Sequence, residues 1–181
     1  APGGDFFARA VILSTGTYLG GRIHIGEVTK REGPDSSAAA LSLTGSLCDL
    51  GISMLRFKTG TPPRIHRRSI DFDALDVQEG EEYITPFSCR TDAEKLNGID
   101  QALCHVAYTN EETHRVIRDN IGRSPLFSGQ IHGTGPRYCP SIEDKVIRFA
   151  ERERHQLFVE PMGRNTDEIY LQGFSSSLPA D

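Results

Sequence analysis

The sequence predicts an α/β chain in two parts: a piece of a doubly wound α/β unit over residues 1–62, then a mixed α+β segment over 63–181. Three observations carry this. Phe6–Ser14 is rich in Val and Ile and runs into Thr15-Gly16-Thr17, as a buried strand does at the edge of a doubly wound sheet. Lys58–Arg64 carries two prolines and one glycine, a stiff joint between segments. Beyond it, helical periodicity at Asn110–Ile121 and from Ser141 to about Arg152 is interleaved with short strand-like runs.

In chain order, Ala8–Leu13 reads as a buried strand, Arg22–Ile25 as a short strand, and Gly26–Asp35 as a polar loop broken by Gly33-Pro34. A helix is expected from Ser36 or Ser37 to Leu50, because Ala39, Leu43, Leu47 and Leu50 share one face. Either serine can cap its start, and Gly51 suits a left-handed residue after its end. Ile52–Phe57 reads as a strand. Ile65–Leu103, with acidic turns such as Glu79–Glu82, reads only as strands and loops. Cys104–Tyr108 is a strand. Asn110 caps a helix whose inner stripe is Thr113, Val116, Ile117 and Ile121, and Gly122 ends it. Ser141 opens the next helix, with Ile142, Val146, Phe149 and Ala150 inward and Asp144 paired to Arg148. Strands follow at Gln156–Glu160 and Glu168–Leu171 around a Gly163-Arg164-Asn165 turn.

With 37% hydrophobic and 25% charged residues the composition is that of a globular protein, and no apolar run approaches the roughly 18 residues that span a bilayer. A net charge of -5 gives no general attraction for nucleic acid, although basic residues cluster at Arg64–Arg68 and Arg148–Arg154. The four cysteines, Cys48, Cys89, Cys104 and Cys139, form no C-x-x-C pair and suit neither a disulfide framework nor a zinc site. Together with the lack of a leader-like segment, this points to a reduced, cytoplasmic setting. Both ends read as cut, so a piece of a longer protein is expected.

The chemistry concentrates between His132 and Lys145. A Gly/Pro-shaped loop brings Arg137, Tyr138 and Cys139 to a helix start at which Ser141 and Asp144 have capping-box spacing. The partial positive charge of that helix end favours a thiolate at Cys139, a nucleophile suited to C6 of a pyrimidine. The alternative is an inert cysteine beside a cap. The same exposed amides also suit a dinucleotide phosphate, and the two uses draw on one field. His24, His66, His105, His114 and His155 are expected to be packing or surface residues.

Five stretches resemble the glucose-inhibited division protein A (GidA) family of bacterial tRNA wobble-uridine modification enzymes. They are Ser14–Gly21 (STGTYLGG) with Ile23–Gly26, Arg56–Ile65 (RFKTGTPPRI), Thr109–His114 (TNEETH), Gly135–Phe149 (GPRYCPSIEDKVIRF) and Ser175–Pro179 (SSSLP), in the family's order. The resemblance implies a Rossmann-like FAD-binding domain interrupted by an insertion that helps bind NADH. It implies a homodimer that joins the GTPase MnmE in a heterotetramer and acts on tRNA. The reaction adds an aminomethyl or carboxymethylaminomethyl group to C5 of the wobble uridine. Methylenetetrahydrofolate supplies the carbon, ammonium or glycine the nitrogen, and FAD reduced by NADH the electrons.

Residue by residue, the resemblance assigns Gly135, Pro136, Arg137, Tyr138, Cys139, Pro140, Ser141, Ile142, Glu143, Asp144, Lys145, Val146, Ile147, Arg148 and Phe149 to the NAD-binding stretch. Cys139 falls on one of two cysteines needed for activity. Thr15, Gly16 and Thr17 fall on a loop near the flavin, and Lys58, Thr59 and Gly60 on the junction beside it. The family's G-x-G-x-x-G, its other essential cysteine and its carboxy-terminal helical region are absent from this chain. Arg31–Ala40 departs from the family pattern, with Ala40 where a flavin-side serine is usual. Two rivals stand beside this reading: a folate- and FAD-dependent tRNA uridine C5 methyltransferase, and a non-catalytic nucleotide- or RNA-binding module on a flavoprotein scaffold.

Overall fold

A computed structural model describes residues 3–133 and 140–180. The chain divides into two compact units, Ala1–Leu55 and Arg56–Asp181, so the proline-rich loop Lys58–Arg64 belongs to the second.

Among its described residues the first unit holds one hairpin, a short 3-10 turn at Pro34–Ser36 and one α-helix. Strands β1 (Ile23–Ile25) and β2 (Val28–Lys30) pair antiparallel, Ile25 opposite Val28, so β2 lies inside the segment expected to be loop. The two-residue turn works because Gly26, at φ +52°, sits where a tight hairpin requires a left-handed backbone. Helix α1 spans Leu41–Asp49 with Ala40 at the cap position, three or four residues later than the serine caps suggest. Asp35 and Ser36 have φ of 52° and 57°, and beyond the extended Ser37 the backbone stays non-helical, with Ala38 bridged to Glu32 and Ala40 at ψ 65°, so the right-handed helix starts only after Ala40. Gly51 does end it in the left-handed region, at φ 80°.

Two expected strands do not form. Among the described residues Phe6–Ser14 joins no sheet and Ile52–Phe57 has one isolated bridge position, Phe57; Phe7 is 99% and Ile12 90% exposed. A strand needs a neighbour for its amides and carbonyls, and among the described residues no strand runs beside these segments. Apolar content alone predicted them, and apolar content does not supply a partner.

Among its described residues the second unit holds a five-stranded antiparallel sheet and three α-helices. Its strands are β3 (Arg64–His66), β4 (Asp76–Gln78), β5 (Cys104–Tyr108), β6 (Gln156–Pro161) and β7 (Glu168–Gln172), in the order β3-β7-β6-β5-β4. The register puts His105 opposite Val159, Ala107 opposite Leu157 and Leu171 opposite Val159, so these side chains share one face with Ile169 and Ile65. Of that face, Leu157, Val159 and Ile169 are buried. Helix α2 (Ala93–Asn97) is capped by Asp92, whose carboxylate accepts from the amides of Glu94 and Lys95. Helices α3 (Glu111–Asp119) and α4 (Ile142–Arg148) pack on each other. Ile117, Ile142 and Val146 form their core, with Phe174 and Leu178 against it.

Asn110 caps α3 through its side chain, which accepts from Thr113 N at 2.9 Å. The inner stripe differs from the expected one. His114 and Ile117 are buried, Val116 is 48% exposed, and Phe149 of the predicted α4 stripe is also exposed. A helix of two to three turns that meets a single neighbour buries a narrow line, not a broad face.

His114 earns its place through Thr109, whose hydroxyl lies 2.8 Å from His114 Nε2 and accepts from the His155 amide at 2.8 Å. The two rings sit 5.3 Å apart. Burial, then Arg118, pushes the His114 pKa below the ordinary histidine value. Burial, then His114, Lys145 and Arg152, does the same for His155. On acidification the unfolded chain therefore takes protons first. The stability from this pair is full above the unfolded histidine range, about pH 6.5, and is lost as pH falls below it.

Two outcomes are expected. The melting temperature falls between about pH 7.5 and 5.5, and His155→Phe flattens that slope; equal slopes would contradict the assignment. In urea denaturation Ile142→Ala costs about 2–5 kcal/mol, while Val116→Ala costs less than about 1 kcal/mol.

Candidate functional site at the entrance to α4

Helix α4 begins as its sequence suggests. Ser141 Oγ accepts from Asp144 N at 3.2 Å and also reaches the Asp144 carboxylate at 3.3 Å. The expected ion pair is present, Arg148 Nε to Asp144 Oδ1 at 3.4 Å. Ile142 and Glu143 follow the cap with no exposed surface at all.

Three segments distant in sequence meet at this point. Lys58 Nζ lies 3.7 Å from Asp144 Oδ2, both side chains about nine-tenths buried. The segment Ser175–Leu178 crosses the first turn of α4, where the Ile142 amide donates to Ser175 O at 2.7 Å. Glu143 Oε1 accepts from Ser177 N at 2.8 Å and from the hydroxyls of Ser176 and Ser177 at 3.2 Å each. Ser177 Oγ in turn sits 2.9 Å from Ser124 Oγ, and Ser124 is fully buried. On its other side the strap forms a bridge with Thr61, with Ser176 N donating to Thr61 O at 3.4 Å. A side chain at Gly60 would place its Cβ 2.7 Å from Ser175 Cβ, so only glycine allows this approach.

The expected site residues thus fall into three groups. Thr15, Gly16 and Thr17 form a turn in the first unit, largely exposed, with open space where a Gly16 Cβ would stand. Lys58 and Gly60 are committed to contacts inside the second unit, with Asp144 and Ser175. Of the long stretch, Gly135, Pro136, Arg137, Tyr138 and Cys139 lie outside the described residues. Ser141 to Asp144 and Val146 are buried, Lys145 donates from Nζ to Gly173 O at 2.9 Å, and Ile147, Arg148 and Phe149 are exposed.

Of the stretch expected to bind an anion, the described part begins at Pro140. The Ile142 and Asp144 amides are already bonded within the chain, and two carboxylates occupy the first turn. A helix end binds an anion only with amides to spare. The network that fills it, Glu143 with Ser124, Ser176 and Ser177, was missed from sequence. Its one signal, a glutamate directly after an apolar residue and a serine cap, is ordinary for the first turn of a surface helix. Among the other cysteines Cys48 and Cys89 are exposed, and burial, then Glu160, raises the Cys104 pKa. Among the described residues no cluster of His, Cys, Asp or Glu could hold a metal ion, and no helix is long and apolar enough to cross a membrane.

Comparison with known proteins gives one answer. Residues 2–181 match the protein family described as glucose inhibited division protein A. The tRNA uridine 5-carboxymethylaminomethyl modification enzyme MnmG of Caldicellulosiruptor saccharolyticus is 60% identical over 99% of this chain, and that of Clostridium botulinum (strain Loch Maree) 54% over the same share. The chain spans 28% of the length of each. Aquifex aeolicus GidA superposes with a TM-score of 0.77 in one crystal form, at 39% identity over 91% of this chain and 26% of that one. In another form the values are 0.76, 43%, 92% and 28%. The stretches joined at α4 are those whose order and spelling resemble that family, and the chain is a member of the glucose-inhibited division protein A family.

Proposed function

We propose that this chain is the part of a tRNA wobble-uridine modification enzyme that joins an FAD-binding domain to an NADH-binding insertion. The complete protein adds an aminomethyl or carboxymethylaminomethyl group to C5 of the wobble uridine. The observation that carries the reading is the convergence on α4 of Lys58–Thr61, Pro140–Lys145 and Ser175–Leu178, three of the stretches that resemble the family. Residues 1–62 are read as part of the Rossmann-like FAD domain and 63–181 as part of the insertion. The complete protein is read as a cytoplasmic homodimer that works with tRNA and the GTPase MnmE, using methylenetetrahydrofolate as carbon donor.

The first unit fits a flavin at Thr15-Gly16-Thr17. Gly16, at φ +52° with no atom within 4 Å of its Cβ position, leaves backbone open to a ligand. When bound, FAD supplies the electrons, drawn from NADH. Lys58 does not offer a free cation to such a ligand, since its ammonium is spent on Asp144; in this reading it holds the junction in place. The first turn of α4 is occupied by its own chain, so the reading assigns NADH to the stretch from Gly135 to Pro140 ahead of it. Cys139, within that stretch, is assigned the thiolate chemistry at C6 of the uridine.

The test uses the full-length protein. Cys139→Ser is expected to abolish wobble modification, by at least about a hundredfold, while tRNA binding stays within about threefold. Mass spectrometry after incubation with 5-fluorouridine tRNA is expected to find the adduct on the peptide containing Cys139. Normal modification by the serine variant would remove the proposed role.

A further inference from the structure

Glu143 falls in the stretch that the resemblance gives to NADH, yet the geometry points to a different use. We propose that Glu143 is a positioning residue: its buried carboxylate locks the Ser175–Leu178 strap across the entrance of α4 and so sets the spacing between that entrance and the Lys58–Thr61 loop. The proposal rests on the functional reading above, in which both segments flank bound cofactor, and it removes Glu143 from the groups that touch it.

The side chain is fully buried, and three donors from Ser176 and Ser177 converge on one of its oxygens. The other oxygen, Oε2, is buried without a hydrogen-bond partner. A carboxylate so placed costs solvation, so it is tolerated only where its acceptor is needed. What it accepts from is the strap, and the strap bonds both α4 and the loop: Ser175 O accepts from Ile142 N, and Ser176 N donates to Thr61 O. Leu178 extends the same lock, its amide donating to Ser176 Oγ at 3.0 Å while its side chain packs against the cluster of Ile117, Ile142 and Val146. Loss of Oε1 frees three donors at once, while Lys58–Asp144 and two backbone bonds still link α4, the strap and the loop. Gln keeps a carbonyl oxygen for the same three donors and should preserve the spacing.

The experiment measures reduction of bound FAD by NADH in the full-length holoenzyme, with its NADH dependence and limiting rate. Glu143→Ala is expected to raise the NADH concentration for half-maximal rate about tenfold, the equivalent of one lost charge-assisted hydrogen bond, with the limiting rate within about twofold. Glu143→Gln should stay within about twofold of wild type in both. Ser176→Ala, which removes one donor and the Leu178 acceptor, should shift the NADH dependence about threefold in the same direction. Unchanged NADH dependence in a folded Glu143→Ala protein overturns the proposal, as does a fall in amplitude alone, the mark of lost folded protein. If Glu143→Ala does not fold, Ser176→Ala decides by the same criterion. A wild-type holoenzyme whose FAD is not reduced by NADH overturns the functional reading and this proposal together.

Discussion

A single buried carboxylate organises the second unit. Glu143 occupies the first turn of α4, where the helix field favours a negative charge, and its Oε1 gathers a backbone amide and two hydroxyls from the chain's far end. A salt bridge would tie two side chains; this arrangement ties a helix to an extended segment that, among the described residues, bridges Thr61 but lies in no strand. The strap in turn lies against Gly60, and Lys58 returns to Asp144, the neighbour of Glu143. Two adjacent acidic residues therefore face two different segments, and the loop and the strap are held from the same helical turn.

The antiparallel sheet behind this centre supplies rigidity. β5 and β6, the central strands, carry the buried Val106, Leu157 and Val159, and the Thr109–His114–His155 contacts fasten α3 to the ends of both. The polar groups in this unit thus work as joints between apolar layers. Thr109 is one such joint and Glu143 another. Each replaces water with several donors or acceptors at once, which is what makes burial of polar side chains sustainable.

Much of the second unit was legible in the sequence because its elements are local. The strand Cys104–Tyr108, the Asn110 and Ser141 caps, the Asp144–Arg148 pair and the two strands after Gln156 all follow from neighbours within a few residues. Phe6–Ser14 and Ile52–Phe57 looked equally good as strands, but their formation depends on partners that no local pattern encodes. The start of α1 moved because Asp35 and Ser36 adopt left-handed backbone, which a serine-rich sequence does not announce. The site divides in the same way. The motif spellings marked the right stretches, but the burial of Glu143 and the capture of Lys58 by Asp144 arise from contacts across 33 and 86 positions respectively, and only the fold brings them together.

The account stands most directly on the bond from the Ser177 amide to Glu143 Oε1. Amide hydrogen exchange of the folded chain measures it. The account predicts that Ser177 and Ile142 exchange as slowly as the amides of the central strand β6, because the strap opens only when the first turn of α4 is released with it. Exchange at Ser177 as fast as in an exposed turn such as Gly163–Asn165, with β6 still protected, would contradict it.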